Sequence, residues 1–396
     1  MIALIKYFVH FLGKILFAPI LSLKFNRSEA ANLSPKKILY ITLAYRGDLI
    51  LNFPALKTIR QKYPQAEITC WVREYNIGLA KMCASIDKVI TYDKFRFQRA
   101  EIFKELNPAR QHSEFFQSIK NAGYDICIDD SGLAFSSLVA AYAKIPLRIG
   151  RNTQGFGFVN HYEIPYNFDG HLVKKRFAML KPLGINFPSD KDLIPEIVVN
   201  SESRQALLEK LGIENIKSGY FTVQPFAGWK AKNWNNRKFS RVVTDFATIS
   251  DLRPVFIGGP DDKQPIAELI SNTVPESINL AGKMELQETA VLISGAAIHL
   301  GIDSVGSHLA AATNVKSLTI FGPTNPRLIA ILTDKNIAVQ RKTSCTPADN
   351  KIYCCKDAGR SCENVICMQT LEEEMVMDQL VKLWRNEATE RIKVFS

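Results

Sequence analysis

The sequence predicts an α/β protein made of two doubly wound halves, each built around a parallel sheet. Short apolar runs such as Ile38–Leu43 and Ser317–Phe321 alternate with longer helical patterns along most of the chain, which is typical of buried parallel strands joined by crossover helices. A looser, proline-containing region, 151–200, separates the two series. Because 396 residues exceed what a single core usually supports, we expect two Rossmann-like domains facing a cleft, with the linker near 189–201.

The first half contains four predicted strands and three predicted helices. The strands are Ile38–Leu43, Glu67–Val72, Lys88–Tyr92 and Asp125–Asp129, and the helices are Leu49–Tyr63, Phe115–Asn121 and Ser136–Ala143. Pro54 is tolerated in the first of these helices only near its beginning, since proline has no N–H to donate. The repeated order of strand and helix predicts a parallel sheet.

The second half repeats this order and ends in an amphipathic helix. Its predicted strands are Gly219–Val223, Pro254–Gly258, Ala297–Gly301 and Ser317–Phe321, and its helices are Arg237–Ser250, Glu285–Ser294 and Gly306–Ala312. Val376, Leu380 and Leu383 recur at helical spacing in a closing segment, Glu372–Arg385, so one face of that helix is apolar. We expect the closing helix to cross back and pack on the first half.

The net charge of +11 and the pI near 9.1 favour an anionic partner. The sequence contains no basic run interleaved with aromatic residues and no zinc-finger spacing, so nucleic acid is not the expected partner. A lipid that carries phosphate fits the charge better.

Eight cysteines are present, five of them in a short C-terminal stretch: Cys70, Cys83, Cys127, Cys345, Cys354, Cys355, Cys362 and Cys367. No C-x-x-C pair occurs, which argues against a zinc site of the usual kind. The first three lie in apolar runs and are expected to be small buried residues. Disulfides in the C-terminal group remain open, although they would conflict with a cytosolic location.

The N-terminal segment Met1–Leu23 is largely apolar but is interrupted by Lys6, His10 and Lys14, which share one side of a helix. Its longest uncharged run, Ile15–Leu23, is too short to cross a bilayer. We expect an amphipathic helix that lies in the membrane surface with its cations towards the headgroups. A helix packed on its own protein and a weak signal-anchor are the alternatives.

Asp48 follows the first predicted strand at the point where a helix begins. Open α/β folds bind ligands at the carboxyl ends of their strands, so a carboxylate at this point is a candidate functional group. Aspartate is also a good helix N-cap. The residues of this loop alone do not decide between the two roles.

The loop after the strand Gly219–Val223 offers Gly228, Lys230 and Lys232 together. A small residue lets backbone N–H groups approach a phosphate, and an ammonium group can bind the same oxygens. These three residues are therefore candidates for binding a diphosphate. The alternative is a solvated basic loop, because most lysines are exposed.

A second candidate phosphate site lies at the predicted helix after the strand Ala297–Gly301. Ser304, Val305 and Gly306 start this helix, and the amides and dipole of a helix start favour an anion. His308, on the first turn, is close enough in sequence to contact the same anion. A packed core histidine is the alternative for that residue.

Two acidic motifs are weaker signals. Asp261 and Asp262 follow a predicted strand and are candidates to accept hydrogen bonds from ribose hydroxyls, although a plain Pro-Asp turn would have the same sequence. Asp190 and Asp192 form a D-x-D pattern, which binds metal in some enzymes, but they lie in the proline-rich linker away from any strand end. We therefore expect no metal site.

Taken together, these segments resemble glycosyltransferase family 9, the lipopolysaccharide heptosyltransferases. The resemblance rests on Ile38–Val72, Gln224–Trp234, Gly258–Asp261, Gly301–Ala311 and Phe321–Pro326. It covers nearly everything from Lys36 to about Leu371. Tyr45 and Arg46 depart from the family, in which small residues are commoner at these positions.

The resemblance implies a GT-B architecture with an N-terminal acceptor domain and a C-terminal donor domain. The implied bounds are 1–34 for the amphipathic segment, 35–195 for the acceptor domain, 196–370 for the donor domain and 371–396 for a C-terminal helix packed back on the acceptor domain. By matching position, Asp48 is the catalytic base and Lys232 neutralises the diphosphate. Asp303 and the amides of 304–306 hold the donor, and Asp261 contacts the ribose.

The implied activity is inverting transfer of a heptose from ADP-heptose to the lipopolysaccharide inner core, with neither metal nor cofactor. The implied acceptor is an anionic, lipid-linked oligosaccharide, and the implied location is cytoplasmic, peripherally associated with the inner membrane. Three alternatives stay open. They are a relative with another nucleotide-sugar donor, a GT-B sugar-nucleotide epimerase, and a non-catalytic nucleotide-sugar-binding protein of membrane assembly.

Overall fold

The computed structural model describes residues 30–92, 113–165, 170–187, 189, 193–216, 219–273, 275–354, 362, 364–388 and 390–395. The N-terminal segment and the D-x-D motif at 190–192 lie outside these residues, so the expectations about them stay predictions. The described residues form two compact units that divide after residue 193, with residues 170–172 belonging to the second unit.

The sheet of the first unit consists of parallel strands in the order β3-β2-β1-β4-β5-β6. The strands are β1 (Lys37–Ile41), β2 (Glu67–Val72), β3 (Lys88–Thr91), β4 (Ile126–Asp129), β5 (Leu147–Arg151) and β6 (Tyr162–Ile164). The helices are α1 (Arg46–Ile50), α2 (Phe53–Lys62), α3 (Ile77–Ala80), α4 (Ser113–Ala122), α5 (Ala134–Tyr142) and α6 (Leu172–Phe177). All residues of β4 and β5 are buried, as expected for parallel strands covered on both faces.

The sheet of the second unit is also parallel, in the order β13-β12-β11-β10-β7-β8-β9. The strands are β7 (Tyr220–Gln224), β8 (Arg253–Phe256), β9 (Ile278–Asn279), β10 (His299–Ile302), β11 (Ser317–Phe321), β12 (Asn336–Arg341) and β13 (Ile392–Phe395). The helices are α7 (Ser201–Leu211), α8 (Asn236–Ser250), α9 (Lys263–Ile270), α10 (Leu286–Ser294), α11 (Val305–Ala312), α12 (Pro326–Ile329), α13 (Ile366–Gln369) and α14 (Glu373–Trp384).

Both sheets follow the same doubly wound plan, which confirms the predicted α/β fold class. In the first sheet the winding reverses between β1 and β4, and in the second it reverses between β7 and β10. In open α/β sheets, ligands bind outside the carboxyl ends of the strands at such a reversal. The fold therefore supplies one candidate binding position in each unit.

The predicted helix Leu49–Tyr63 is divided into α1 and α2. Pro54 lies in the first turn of α2, where its missing N–H costs nothing. The Asn52 side chain donates a hydrogen bond of 2.8 Å to the main-chain oxygen of Asp48. The break between the two helices therefore has a local cause in Pro54 and Asn52.

The closing helix α14 packs within the second unit. Val376, Leu380 and Leu383 are buried in one core cluster with Phe246 of α8, and α14 also contacts β11 and β12. The apolar face of this helix was predicted correctly, and it packs on the core of the second unit. The expectation that the C-terminal segment packs back on the first half stays a prediction.

The cysteines of the first half behave as predicted. Cys70, Cys83 and Cys127 are buried, and the seven cysteines within the described ranges are free thiols. None of the helices described by the structure is long and apolar enough to span a membrane.

Candidate functional site

The loop after β1 brings Asp48 to the carboxyl edge of the first sheet. Tyr45 occupies the N-cap position of α1, and Asp48 lies inside the first turn of that helix. The alternative that Asp48 is the helix cap is therefore wrong. Tyr40 donates a hydrogen bond of 2.6 Å to Asn52, which in turn holds the main-chain oxygen of Asp48, so α1 is anchored to the buried strand beneath it.

Asp48 belongs to a chain of charged side chains. Its Oδ1 lies 3.2 Å from Nη2 of Arg176 on α6. The Nε atom of Arg176 lies 3.4 Å from Oδ2 of Asp130, and Nε of Arg151 lies 2.7 Å from Oδ1 of the same carboxylate. The Asp48 side chain is 38% exposed, whereas the other three are 8% exposed or less. Asp48 is thus the solvent-facing end of a buried network.

The charges of this network are fixed by burial and by pairing. Burial alone would raise the pKa of Asp130, but the adjacent Arg176 and Arg151 guanidinium groups outweigh burial and hold that pKa below its usual value. Burial, together with the same two arginines, lowers the pKa of Lys175 to about 8. Asp130 is therefore ionised at neutral pH, and cations outnumber carboxylates when Lys175 is protonated.

An exposed patch of aromatic and cationic side chains lies beside Asp48. Tyr45 is 68% exposed and Tyr75 is 42% exposed. The Arg46 guanidinium lies 5.0 Å from the centre of the Tyr75 ring, and that of Arg73 lies 5.5 Å from the Tyr45 ring. Such pairs keep aromatic faces and positive charge together at the surface.

The second unit places Lys232 against Asp303 at the carboxyl end of β10. The Lys232 Nζ atom lies 2.6 Å from Oδ2 of Asp303 and donates to the main-chain oxygen of the same residue at 3.2 Å. Thr324 donates a hydrogen bond of 2.7 Å to Oδ2. Burial would raise the pKa of Asp303, but Lys232, Thr324 and the nearby His308 outweigh burial and lower it. Asp303 is therefore ionised at neutral pH.

The start of α11 is closed by a side chain from the neighbouring strand. Gln224, the last residue of β7, accepts a hydrogen bond of 2.9 Å from the Gly306 amide and donates one of 3.2 Å to Oγ of Ser304. In this structure the Gly306 amide therefore donates to Gln224, and the expectation that it binds a diphosphate stays a prediction. Val305 is the first residue of α11 and Ser304 is its N-cap.

The other predicted site residues lie apart from these contacts. Gly228 and Lys230 are exposed in the loop after β7, and Asp261 is exposed in the turn after β8. Asp262 accepts a hydrogen bond of 2.8 Å from the Gly259 amide, so that carboxylate stabilises the turn itself. His308 is buried beside Asp303. Within the described ranges, no group of three or more His, Cys, Asp or Glu side chains is arranged to hold a metal ion.

Sequence reasoning missed several residues that the structure brings to the two sites. Asp130 directly follows β4 at the reversal of the first sheet, so its position in sequence could have marked it. Gln224 and Thr324 lie inside the segments that carry the family resemblance. Arg176 is 128 residues from Asp48, and no local pattern marks it.

Two solved structures share this architecture. The first is an ADP-heptose lipopolysaccharide heptosyltransferase II from Escherichia coli, with a TM-score of 0.70, 18% identity, and coverage of 89% of this chain and 99% of that one. The second is a family 9 glycosyltransferase from Veillonella parvula, with a TM-score of 0.69, 21% identity, and coverage of 88% and 97%. The two parallel doubly wound units therefore place the protein in the GT-B class of fold.

The sequence comparisons then give the family. The model of glycosyltransferase family 9 (heptosyltransferase) matches residues 112–356, and the chain belongs to this family of glycosyl-transfer enzymes. It is 25% identical over 291 residues to lipopolysaccharide heptosyltransferase 3 of Escherichia coli K12, covering 72% of this chain and 81% of that protein. It is 26% identical over 376 residues to lipopolysaccharide heptosyltransferase 1 of Campylobacter coli, covering 89% and 100%.

The hydrogen bond from the Gly306 amide to Gln224 predicts that a side chain at position 306 destabilises the fold. A Cβ atom on Gly306 would lie 2.3 Å from Oε1 of Gln224, so Gly306→Ala should displace Gln224 and lower the free energy of unfolding by about 1–3 kcal/mol. Gly228→Ala is the matched control, because a Cβ there meets nothing within 4 Å. Urea denaturation measures both, and equal stability of the two variants would contradict the closure.

Proposed function

We propose that this protein transfers a heptose from ADP-heptose to an acceptor hydroxyl of the lipopolysaccharide inner core, with inversion at the anomeric carbon. Membership of family 9 and the heptosyltransferase relatives support the reaction class. The observation that carries the mechanism is the solvent-facing Asp48 carboxylate, held by Arg176 at the carboxyl edge of the first sheet. A carboxylate in that position is suited to accept a proton.

In this mechanism Asp48 takes the proton of the acceptor hydroxyl while the hydroxyl oxygen attacks the anomeric carbon. The new carbon–oxygen bond forms as the bond from that carbon to the diphosphate breaks, and ADP leaves with the bonding electron pair. A single displacement of this kind inverts the anomeric configuration. Asp48 is the base, and a separate group must neutralise the departing diphosphate.

Lys232 supplies that neutralising charge in the proposal. An ammonium group has three N–H donors, and Asp303 receives two of them through Oδ2 and its main-chain oxygen. In the proposal the third donor binds a phosphate oxygen. The start of α11, with Ser304 and Val305, adds the favourable end of a helix dipole. Asp303 thus orients the lysine, and the proposal assigns no step to a metal ion.

Three further residues are proposed to contact the donor: Gly228, Lys230 and Asp261. Gly228 and Lys230 belong to the same loop as Lys232, and Asp261 follows β8, the strand beside β7. Their exposure leaves them accessible to the nucleotide. The Gly306 amide donates a hydrogen bond to Gln224. The Gln224 side chain must therefore move before this amide can bind the diphosphate.

The proposed acceptor is an anionic, lipid-linked oligosaccharide that binds beside Asp48. The patch of Tyr45, Arg46, Arg73 and Tyr75 offers two exposed aromatic faces with two guanidinium groups. Aromatic faces suit sugar rings, and guanidinium groups bind carboxylates or phosphates with two parallel hydrogen bonds. Tyr45 and Arg46, which depart from the family pattern, therefore become candidates for acceptor selection.

We also propose that the enzyme works at the cytoplasmic face of the inner membrane, to which residues 1–24 attach it. The apolar character of this segment, its Lys6 and Lys14 cations and the net charge of +11 support attachment to an anionic surface. Attachment to the membrane would place the enzyme on the same surface as its lipid-linked acceptor.

Asp48→Asn should lower the rate of heptose transfer by at least about 100-fold, because the amide keeps the shape of the carboxylate but cannot take a proton. The measurement is mass spectrometry of a truncated core acceptor after incubation with ADP-heptose. Asp245→Asn, an exposed carboxylate on α8, is the matched control and should keep the wild-type rate. Chelation with EDTA should also leave the rate unchanged.

Each contrary outcome of that experiment removes a different part of the proposal. Full activity of Asp48→Asn contradicts the base, and loss of activity with EDTA contradicts a metal-independent reaction. Transfer from another nucleotide sugar but not from ADP-heptose contradicts the donor. No transfer from any nucleotide sugar favours the epimerase or the non-catalytic alternative, which the release of free or rearranged sugar nucleotide then distinguishes.

Tyr45→Ala should raise the KM for the acceptor about tenfold, the loss expected for one stacking contact, and should leave the KM for ADP-heptose unchanged. The control is Tyr142→Ala, another exposed tyrosine beside a lysine, at the end of α5 and therefore at the opposite edge of the sheet. Steady-state kinetics with varied acceptor measures both. An unchanged acceptor KM in Tyr45→Ala would remove the patch from the acceptor site.

Deletion of residues 1–24 should abolish sedimentation of the protein with vesicles that contain anionic phospholipid. In the full chain, reversing the charges with Lys6→Glu and Lys14→Glu should weaken sedimentation while keeping the apolar residues, because the cations attract the surface. Vesicles of neutral phospholipid are the control. Equal sedimentation with and without the segment would show that it is not the attachment site.

A further inference from the structure

Arg176 joins two carboxylates that have different surroundings. Its Nη2 atom lies 3.2 Å from Oδ1 of Asp48, which is 38% exposed, and its Nε atom lies 3.4 Å from Oδ2 of Asp130, which is 6% exposed. The Arg176 side chain itself is 8% exposed. One side of this guanidinium is therefore paired with a buried carboxylate, and the other contacts the proposed base.

Asp130 fixes the position of Arg176. Its other carboxylate oxygen receives the Nε–H of Arg151 at 2.7 Å, and Arg151 also donates from Nη2 to the main-chain oxygen of Lys175 at 3.0 Å. Lys175 directly precedes Arg176 in α6, so Arg151 holds the backbone that carries Arg176 as well as the carboxylate that pairs with it. The contact with Asp48 is thus set by buried groups on β5 and after β4.

Asp48 needs such a constraint because its own helix is short. Helix α1 has five residues, and an aspartate on a solvent-facing turn has several rotamers available. A general base must lie within hydrogen-bond reach of the proton that it removes. Arg176 binds Oδ1, which fixes the orientation of the carboxylate and leaves Oδ2 for the acceptor hydroxyl.

We infer that Arg176 is a positioning residue for the proposed base, held in place by Asp130 and Arg151. This inference rests on the proposed function of Asp48 and adds to it the group that orients the carboxylate. Asp130 and Arg151 act through Arg176 and touch neither substrate. Arg176 acts on the transition state rather than on binding, so its loss lowers kcat and leaves both KM values nearly unchanged.

The test is a double-mutant cycle on the full-length protein, with Arg176→Ala, Asp48→Asn and the double variant. Alone, Arg176→Ala should lower kcat by about 10- to 100-fold, the cost of a misplaced catalytic group, with KM values for ADP-heptose and acceptor changed less than about threefold. In the Asp48→Asn background the same substitution should lower the residual rate less than about twofold, because the base that Arg176 would position is already absent.

Arg148→Ala is the matched control for the loss of a buried arginine. Arg148 lies on β5 like Arg151, is buried, and donates to the main-chain oxygens of Val159 and Ile145. Its replacement should lower the midpoint of thermal unfolding without a selective loss of kcat. If Arg176→Ala does not fold, Arg176→Lys replaces it in the cycle. Lysine keeps the positive charge but lacks the planar guanidinium group that contacts both carboxylates.

The outcomes separate this inference from the proposed function. A wild-type kcat in folded Arg176→Ala or Arg176→Lys, or an equal fold-loss in both backgrounds of the cycle, overturns the positioning role alone. Full activity of Asp48→Asn overturns the proposed base and this inference with it. A loss of kcat that disappears in the Asp48→Asn background supports both.

Discussion

Both candidate sites depend on one constraint. Each has a buried carboxylate at the point where its sheet reverses its winding, and that carboxylate must be neutralised. Asp130 and Asp303 are nearly buried at these two points. Taking a carboxylate out of water costs several kcal/mol unless a cation and hydrogen bonds compensate. That cost is comparable to the whole free energy of unfolding of a domain. Arg151 and Arg176 meet this requirement in the first unit, and Lys232 meets it in the second. The cations that neutralise these carboxylates are the same ones that take part in the proposed reaction.

The two units use one topology for different chemistry. In the first, Arg176 extends from the buried Asp130 to Asp48, so that a carboxylate reaches solvent beside aromatic and cationic side chains. In the second, the buried carboxylate of Asp303 holds Lys232, so that an ammonium group is presented instead. A base and a cation are the two groups that displacement of a nucleoside diphosphate by a sugar hydroxyl requires.

Local sequence patterns predicted those parts of the structure that depend on neighbouring residues. The apolar runs gave the central strands and placed Asp48 after the first of them. The pattern missed β5, β6, β9, β12 and β13. Of these, Asn336–Arg341 and Ile392–Phe395 carry polar residues among the apolar ones. It gave the buried face of α14 but not what that face packs on. The Arg176 contact was beyond prediction because long-range folding alone brings it to Asp48.

In the proposed reaction, one carboxylate drives a single displacement at the anomeric carbon. The most direct measurement is the anomeric configuration of the new glycosidic bond, determined by NMR on product made by the purified enzyme from a donor of known configuration. A single displacement predicts the configuration opposite to that of the donor. Retention of the donor configuration would require a second displacement or a different mechanism, and would contradict the assignment of Asp48 as the base.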